Sequence, residues 1–239
     1  MWQGARVAVI VPAYREERLI GRMLRKLPPY LDSIYVVDDA SDDATSARAA
    51  GTGDPRVRVL RHAENRGVGA AIGTGYRQAM ADGADLLAVM AADDQMEAAD
   101  LPALLAGVWA GGADYAKGNR FVHPEARRMP LARRLGGELL SALTRRATSL
   151  AVDDCQCGFT VLSAGAAQRL PLQELWPRYG YPNDLLGMLA AARCRVVEVP
   201  VRPVYGDEQS GLRPYHVLVV SAVIARRWWR NHRRERSGR

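Results

Sequence analysis

Short apolar runs alternate with amphipathic helical segments in the first half of this 239-residue chain, and this alternation constrains its fold more than any other feature. Val7–Val11 and Leu86–Met90 are continuous apolar runs, the pattern of strands buried on both faces of a sheet. Glu16–Leu27 carries its apolar residues on one helical face and is stopped by Pro28 and Pro29. Repetition of this unit predicts an α/β fold with a doubly wound, mainly parallel sheet and helices on both faces.

The same patterns locate the other elements, in a chain long enough for one large domain. The further predicted strands are Ser33–Val37, Arg56–Leu60, Ala113–Lys117, Gly158–Leu162 and Arg195–Val199. The further predicted helices are a segment capped by Asp42 or Asp43 and ending near Ala50, Gly67–Ala81, Leu101–Trp109, Met129–Leu150, a segment from Pro182 or Asn183 to Ala192, and Tyr215–His232.

Acidic residues follow three of the predicted strands. Glu16 lies shortly after the first strand, Asp38 and Asp39 close the second, and Asp93 and Asp94 follow the strand at Leu86. Because the carboxyl ends of parallel strands meet at one edge of a sheet, these carboxylates are expected to converge. Converging carboxylates need a cation or hydrogen-bond donors, and oxygen ligands suit Mg²⁺ or Mn²⁺. The alternative is that each Asp only caps the helix after it.

Two common nucleotide-binding motifs are missing from the expected places. The first strand is followed by PAYREE rather than by the G-x-G-x-x-G of dinucleotide-binding domains. The glycines Gly67 and Gly69 follow the third strand, and no P-loop lysine accompanies them. Both an NAD-dependent enzyme and a P-loop enzyme are therefore disfavoured.

The cysteines and the hydropathy pattern indicate a cytoplasmic protein. Cys155, Cys157 and Cys194 give an odd count without a disulfide or zinc pattern, so we expect free thiols in a reducing compartment. The N-terminus runs directly into a strand without a signal-peptide pattern, and no apolar run reaches the length of a membrane span.

Positive charge is concentrated at the C-terminus of a chain whose net charge is +7. Residues 226–239 contain seven arginines against the single Glu235, which suits an anionic partner. Tyr215–His232 combines these arginines with apolar residues and with Trp228 and Trp229. Such a helix lies in a membrane interface, which we favour, or packs on the core with a solvated tail. No recognition motif for nucleic acid accompanies it.

Six motifs in order carry a resemblance to a known family. They are VAVIVPAYREE, YVVDDASDDAT, NRGVGAAIGTGYRQA, VMAADDQM, YAKGNRF and DDCQCGF, within residues 7–213. Together they resemble family 2 glycosyltransferases, in the branch of dolichyl- and polyprenyl-phosphate sugar synthases and related polysaccharide transferases. The resemblance implies a GT-A fold and transfer of a sugar from a nucleotide donor with a divalent metal.

The resemblance also implies roles for individual residues. Asp93 and Gln95 match metal ligands for Mg²⁺ or Mn²⁺, whereas Ala91 replaces the first Asp of the family's D-x-D motif. Asp94 is a poor substitute, because neighbouring side chains of an extended chain point in opposite directions. Arg120 and Arg133 match arginines near the donor or acceptor phosphate. The implied donor-binding residues are Pro12, Tyr14, Glu16, Asp38, Asp39, Gly67 and Asp93.

The acceptor side leaves two possibilities open. Asp184, at a predicted helix start, matches the place of a base that would deprotonate an acceptor hydroxyl, but it could equally be a helix cap. A lipid phosphate needs no base, since its oxygen is already anionic. Arg202 and Arg213 would then compensate its charge, flanking a loop at 205–211 that resembles the family's lid.

We therefore expect an inverting transferase that moves a sugar from a UDP- or GDP-linked donor to a polyprenyl phosphate or lipid-linked acceptor. It would act in the cytoplasm, in peripheral contact with the anionic inner face of the cell membrane and without nucleic acid. The alternatives are transfer to a hydroxyl with Asp184 as base, or a catalytically weak nucleotide-binding protein. We expect a donor-binding half at about 1–120, an acceptor half at about 121–214, and a C-terminal helix and tail at 215–239.

Overall fold

A computed structural model of the chain describes residues 1–204 and 214–237. The strands are β1 (Val7–Ala13), β2 (Ser33–Asp38), β3 (Val57–Arg61), β4 (Leu86–Val89), β5 (Tyr115–Asn119), β6 (Thr160–Ser163) and β7 (Val196–Pro200). The α-helices are α1 (Ile20–Arg25), α2 (Thr45–Ala50), α3 (Val68–Ala81), α4 (Leu101–Trp109), α5 (Leu131–Thr148), α6 (Ala164–Arg169), α7 (Tyr181–Ala191) and α8 (Pro214–Ser237). Single 3₁₀ turns cover Ala98–Asp100, Pro124–Arg128 and Leu172–Glu174.

Within the described residues, the strands form one sheet in the order β3-β2-β1-β4-β6-β5-β7. β1 pairs in parallel with β2 and β4, and β5 pairs in parallel with β7. β6 is antiparallel to both of its neighbours, β4 and β5. The predicted mainly parallel sheet is confirmed, and the reversed direction of β6 is the feature that the sequence did not reveal. A short apolar run reads the same in either direction.

Helices cover both faces of the sheet, as predicted. Along β1, Ala8 and Ile10 face one core while Val7, Val9 and Val11 face the other, because successive strand residues point to opposite sides. The first core receives buried residues of α3, α5, α6, α7 and α8. The second core receives those of α1, α2 and α4.

The first helix is shorter than predicted. It begins at Ile20 instead of Glu16, because the preceding residues are tied to the segment after β2. The backbone N–H of Arg15 donates to Ser41 Oγ at 3.0 Å, and that of Glu16 donates to Thr45 Oγ1 at 2.8 Å. Arg15 also has a φ of 58°, which no α-helix contains. These bonds hold the bend after β1 against the segment that follows β2, so the helix begins only at Ile20.

The C-terminal helix packs on the body of the protein. Val220, Val223 and Ile224 of α8 are buried, whereas Leu218, Trp228 and Trp229 are exposed. Much of the apolar surface that favoured a membrane-interface helix therefore lies in the core. Among the described residues, no helix is both long enough and apolar enough to cross a membrane. The three cysteines are free and buried.

Candidate active site

The acidic strand ends converge on one cavity, as the parallel topology predicts. Its volume is about 310 Å³, and it opens at the carboxyl edge of β1, β2 and β4. Six of the seven predicted donor-binding residues line it, and the seventh, Asp38, does not. The lining residues are Pro12, Ala13, Tyr14, Glu16, Asp39, Asn65, Gly67, Val68, Ala71, Ala91, Ala92 and Asp93.

Asp39 is held in this cavity by donors from the segment that follows β3. Its Oδ1 accepts the backbone N–H of Arg66 at 2.9 Å, and its Oδ2 accepts that of Gly67 at 2.6 Å. His62 Nδ1 lies 2.7 Å from Oδ1, and because a carboxylate only accepts, this nitrogen carries the proton. His62 Nε2 lies 3.0 Å from Thr74 Oγ1. The carboxylate is therefore fixed in orientation and charge-compensated without a metal.

The prediction that Asp38 joins Asp39 in the donor site is wrong. Asp38 is fully buried and accepts hydrogen bonds from the backbone N–H of Ser41, at 2.9 Å, and from the Ser46 hydroxyl. Arg61 Nε lies 3.9 Å from Asp38 Oδ2. The reason is the alternation of side chains along an extended chain, which turns consecutive residues to opposite sides. Asp38 thus stabilises the turn into α2.

A second, smaller pocket adjoins the first and shares Asp93 with it. Its volume is about 50 Å³. Two guanidinium groups line it, those of Arg120 and Arg202, and Asp93 is the carboxylate among its described lining residues. Its lining residues are Asp93, Gln95, Met96, Arg120, Cys157, Gly158, Phe159, Val201, Arg202, Pro203 and Val204. Asp93 therefore stands at the junction of a carboxylate-lined cavity and an arginine-lined pocket.

Of the three polar residues after β4, Asp93 and Gln95 line the small pocket and Asp94 turns away from it. Asp93 Oδ1 accepts the backbone N–H of Gln95 at 3.1 Å, which keeps both residues on the pocket side. Asp94 has a φ of 60° and turns towards α1, where Arg22 Nε and Lys26 Nζ each lie 2.7 Å from its Oδ2. Asp94 is thus occupied elsewhere and does not replace the carboxylate missing at Ala91.

The donor atoms beside Asp93 fit a divalent cation only in part. Among the described residues, no group of three or more His, Cys, Asp and Glu side chains gathers at a point where it could hold a metal. One carboxylate and one amide remain, those of Asp93 and Gln95. Mg²⁺ commonly binds proteins through one or two carboxylates and takes its other ligands from phosphates and water. The pair fits a cation that arrives with a diphosphate.

Arg120 is held at the small pocket by Asp154. Its Nε and Nη2 lie 2.7 and 2.9 Å from the two oxygens of Asp154, which is fully buried. Burial favours the neutral form of Asp154, but Arg120 and the buried Lys117 outweigh burial and hold the pKa of that carboxyl below its ordinary value. The carboxylate stays ionised and fixes the guanidinium with a bidentate geometry.

The structure places Asp184, the predicted catalytic base, outside the lining of both pockets. Its side chain is fully buried at the first turn of α7 and forms a bidentate ion pair with Arg227 of α8. The two nitrogen–oxygen distances are 2.7 and 2.8 Å, and Asp184 Oδ2 also accepts the backbone N–H of Trp176 at 2.8 Å. A base needs contact with the proton that it removes. Asp184 instead joins α7 to α8.

The family to which this fold and site belong is identified by a match to a protein-family model. Residues 8–170 match the model of Glycosyl transferase family 2, which is more than half of the chain. The chain belongs to this family. It is a glycosyltransferase, and the family resemblance stated from the six motifs is confirmed.

Two relatives of this glycosyltransferase have names that specify a lipid phosphate. One is the UDP-N-acetylglucosamine–dolichyl-phosphate N-acetylglucosaminyltransferase of Methanococcus voltae, 28% identical over 236 residues that cover 92% of this chain and 94% of the relative. The other is the undecaprenyl-phosphate mannosyltransferase of Micrococcus luteus, 32% identical over 205 residues that cover 82% of each chain.

The glucosyl-3-phosphoglycerate synthase of Mycobacterium tuberculosis has the same fold. Its crystal structure in complex with Mn²⁺, UDP and glucosyl-3-phosphoglycerate matches with a TM-score of 0.70 at 22% identity, over 94% of this chain and 80% of that one. This likeness confirms the predicted GT-A fold.

The glycine-rich start of α3 packs against the chain rather than cradling a phosphate in this glycosyltransferase. A Cβ on Gly67 would lie 2.5 Å from the carbonyl oxygen of Pro177, and a Cβ on Gly69 would lie 2.1 Å from that of Trp176. The carbonyl of Pro177 accepts the N–H groups of Gly69 and Ala70 at 2.8 and 3.1 Å. The N-terminus of α3 is thus already capped, and Gly67 fixes Asp39 at the larger cavity through its backbone N–H.

Two predicted residues cannot be placed, and several site residues were not predicted. The side chain of Arg133 and the whole of Arg213, with the loop at 205–213, lie outside what the structure describes. His62 and Asn65 were not predicted, although His62 directly follows β3 and so occupies a strand end at the same edge. Ala92, Phe159 and Val201 form apolar walls of the two pockets. The sequence pattern does not distinguish them from residues of the hydrophobic core, which are equally apolar.

Proposed function

We propose that this glycosyltransferase transfers a sugar, with inversion, from a UDP- or GDP-linked donor to a polyprenyl phosphate. The observation that carries the proposal is the contrast between Asp184, buried against Arg227, and the small pocket beside Asp93, which is lined by arginine. A hydroxyl acceptor requires a base, whereas a phosphate oxygen is already a nucleophile. Because the predicted catalytic base, Asp184, is buried, a phosphate acceptor is favoured over a hydroxyl acceptor.

The donor would occupy the larger cavity. Tyr14 is 42% exposed and lines the cavity with Asp39. An aromatic ring and a fixed carboxylate therefore face the space where the nucleobase of the donor would bind. The diphosphate would extend towards Asp93, at the junction with the smaller pocket. The relative from Methanococcus voltae is named for a UDP-linked donor, which supports a uridine nucleotide here.

Asp93 and Gln95 would hold Mg²⁺ or Mn²⁺ together with the diphosphate. When bound, the metal supplies positive charge beside the leaving group. Arg120, fixed by Asp154, and Arg202, held by Glu125 at 2.9 Å, would orient the acceptor phosphate beside the sugar. An acceptor oxygen would then attack the anomeric carbon from the face opposite the diphosphate. One carbon–oxygen bond forms as the bond to the diphosphate breaks, and the configuration inverts.

The acceptor class is supported by both named relatives, whose names specify dolichyl phosphate and undecaprenyl phosphate. A membrane lipid as acceptor also agrees with the excess of arginine at the C-terminus. We accordingly propose peripheral contact with the anionic inner face of the cell membrane.

A donor screen tests the proposal. Purified protein is incubated with UDP- and GDP-sugars, a short-chain prenyl phosphate and Mn²⁺, and the product is analysed by mass spectrometry and by the NMR coupling of its anomeric proton. We expect a metal-dependent prenyl-phosphate sugar with the inverted configuration. Transfer to sugar or glycerate hydroxyls but never to prenyl phosphate would refute the acceptor. Nucleotide binding without transfer to any acceptor would favour the catalytically weak binding protein.

The variant Asp39→Asn tests whether Asp39 contributes to binding of the nucleotide donor. The amide would keep one acceptor oxygen but turn its NH2 group towards the N–H of Arg66 or of Gly67, so we expect about tenfold weaker nucleotide binding by calorimetry. The buried Asp38 is the matched neighbour. Asp38→Asn should lower the melting temperature and leave nucleotide affinity within about twofold.

A further inference from the structure

Helix α5 exposes a stripe of leucines. Leu131, Leu135 and Leu139 are 70%, 56% and 52% exposed, while Leu140 on the opposite side of the helix is fully buried. The exposed leucines are four residues apart, so they lie on one face of the helix along about 12 Å. Single exposed leucines are ordinary, but a row of three on one helix marks a contact surface.

The leucine stripe continues into an apolar groove between α5 and α8. Leu143 and Ala147 of α5 line this groove with Ile224 and Trp228 of α8, and its volume is about 430 Å³. Leu143 follows Leu139 by four residues, so the groove extends the same side of α5. The stripe and the groove together form one surface, the α5–α8 face.

Charge distinguishes the two helices of this face from the rest of the protein, and among their described residues Arg227 is the arginine that is buried, against Asp184. Helices α5 and α8 together contain ten arginines and two glutamates, a net charge of +8, which exceeds the +7 of the whole chain. All other residues together are therefore slightly acidic. Arg146, exposed on α5, borders the groove itself.

We propose that the α5–α8 face docks on an anionic phospholipid bilayer, with Leu131, Leu135, Leu139 and Trp228 entering the interface. Leucine and tryptophan among arginines is the pattern of a surface that lies in a membrane interface. A second copy of this chain is disfavoured as the occupant, because two faces of the same strong positive charge repel each other.

The inference rests on the proposed function in one respect, since it explains how the site reaches a lipid acceptor. Helix α5 follows the turn Pro124–Arg128, in which Glu125 pairs with Arg202 of the small pocket. A bilayer in contact with Leu131 would therefore lie close to the arginine-lined pocket. Most of the apolar side of α8 is buried, so α5 supplies the principal membrane contact.

The test is sedimentation with vesicles of phosphatidylcholine and phosphatidylglycerol. The variant L131Q/L135Q/L139Q removes the stripe without changing charge, and because these side chains are exposed it should fold normally. We expect at least about a tenfold loss of vesicle binding. The matched control is W109Q, since Trp109 is 45% exposed on α4, which covers the other side of the sheet. It should bind vesicles like the wild type.

Unchanged vesicle binding by the triple variant would overturn the proposal. A wild-type dimer that the triple variant converts to a monomer, without any vesicle binding by either, would identify the face as an interface between copies and would also overturn it. Transfer to a water-soluble short-chain prenyl phosphate is measured in parallel. Its absence in a wild-type protein that binds vesicles would refute the proposed acceptor while the membrane surface stands.

Discussion

The donor cavity and the arginine-lined pocket share Asp93, yet their charges are fixed in different ways. Around the donor cavity, Asp39 is compensated by backbone N–H groups and by His62, all within 28 residues of it in the chain. In the second half of the chain, Asp154 and Asp184 are each compensated by an arginine, 34 and 43 residues away. Asp39 is thus fixed by groups near it in the chain and lines the larger cavity, whereas Asp154 and Asp184 join distant segments of the fold.

Among the substitutions considered, that of Asp93 is expected to lower the rate of sugar transfer most. Asp93→Asn removes the carboxylate at the junction of the two pockets, which we propose as a ligand of the cation that binds with the diphosphate. We expect kcat to fall about a thousandfold, which corresponds to about 4 kcal/mol of lost transition-state stabilisation. Initial rates of sugar transfer at saturating donor and Mn²⁺ provide the measurement.

Asp94→Asn is the matched control for Asp93→Asn, one residue away and on the other side of the chain. It breaks the pairs with Arg22 and Lys26, whose side chains are 59% and 55% exposed. The rate should stay within about threefold of the wild type, and the loss of stability should be below about 1 kcal/mol. If Asp94→Asn lowers the rate as much as Asp93→Asn does, the proposal that only Asp93 belongs to the active site is refuted.

Asp184→Asn tests whether the acceptor-side carboxylate is structural. It removes the bidentate partner of the buried Arg227 and leaves Glu174, at 3.9 Å, as its carboxylate neighbour, so the free energy of unfolding should fall by about 3 kcal/mol. The double variant D184L/R227M replaces the ion pair with apolar side chains and should recover part of this loss. Denaturant melts supply the stability. Transfer to prenyl phosphate per folded molecule should be retained, and its complete loss in a folded variant would restore Asp184 as a catalytic residue.

Asp154 gives the acceptor side a pH dependence. Because its folded pKa lies below the ordinary 3.8, the ionised carboxylate contributes stability that is present above that value and is lost as the pH falls through the folded pKa. Asp154→Asn should cost about 2 kcal/mol at pH 7, since Arg120 is partly exposed, and the difference from the wild type should shrink below about pH 4. The free energy of unfolding of both proteins is measured between pH 7 and pH 3. A difference between them that does not change with pH would contradict a stabilising ion pair between Asp154 and Arg120.

The same contrast explains what could be predicted from the sequence. Donor-cavity residues follow strands whose apolar runs are unmistakable, so the parallel topology alone brought Glu16, Asp39 and Asp93 together. The role of Asp184 depends on Arg227, and nothing in either local pattern indicates which distant charge will be its partner. The antiparallel β6 and the burial of much of α8 are likewise set by tertiary packing, which local periodicity does not encode.

Ala91→Asp is expected to have the smallest effect and tests the one departure from the family motif. Ala91 lines the donor cavity two residues before Asp93, so an added carboxylate would face the same space. A second carboxylate should tighten Mn²⁺ binding in the presence of UDP, by less than about tenfold because the diphosphate already supplies ligands. Calorimetry with Mn²⁺ and UDP measures the change. If metal affinity falls instead, the two carboxylates repel each other more than they bind the cation, and Ala91 is an adaptation of this site to a metal held mainly by its substrate.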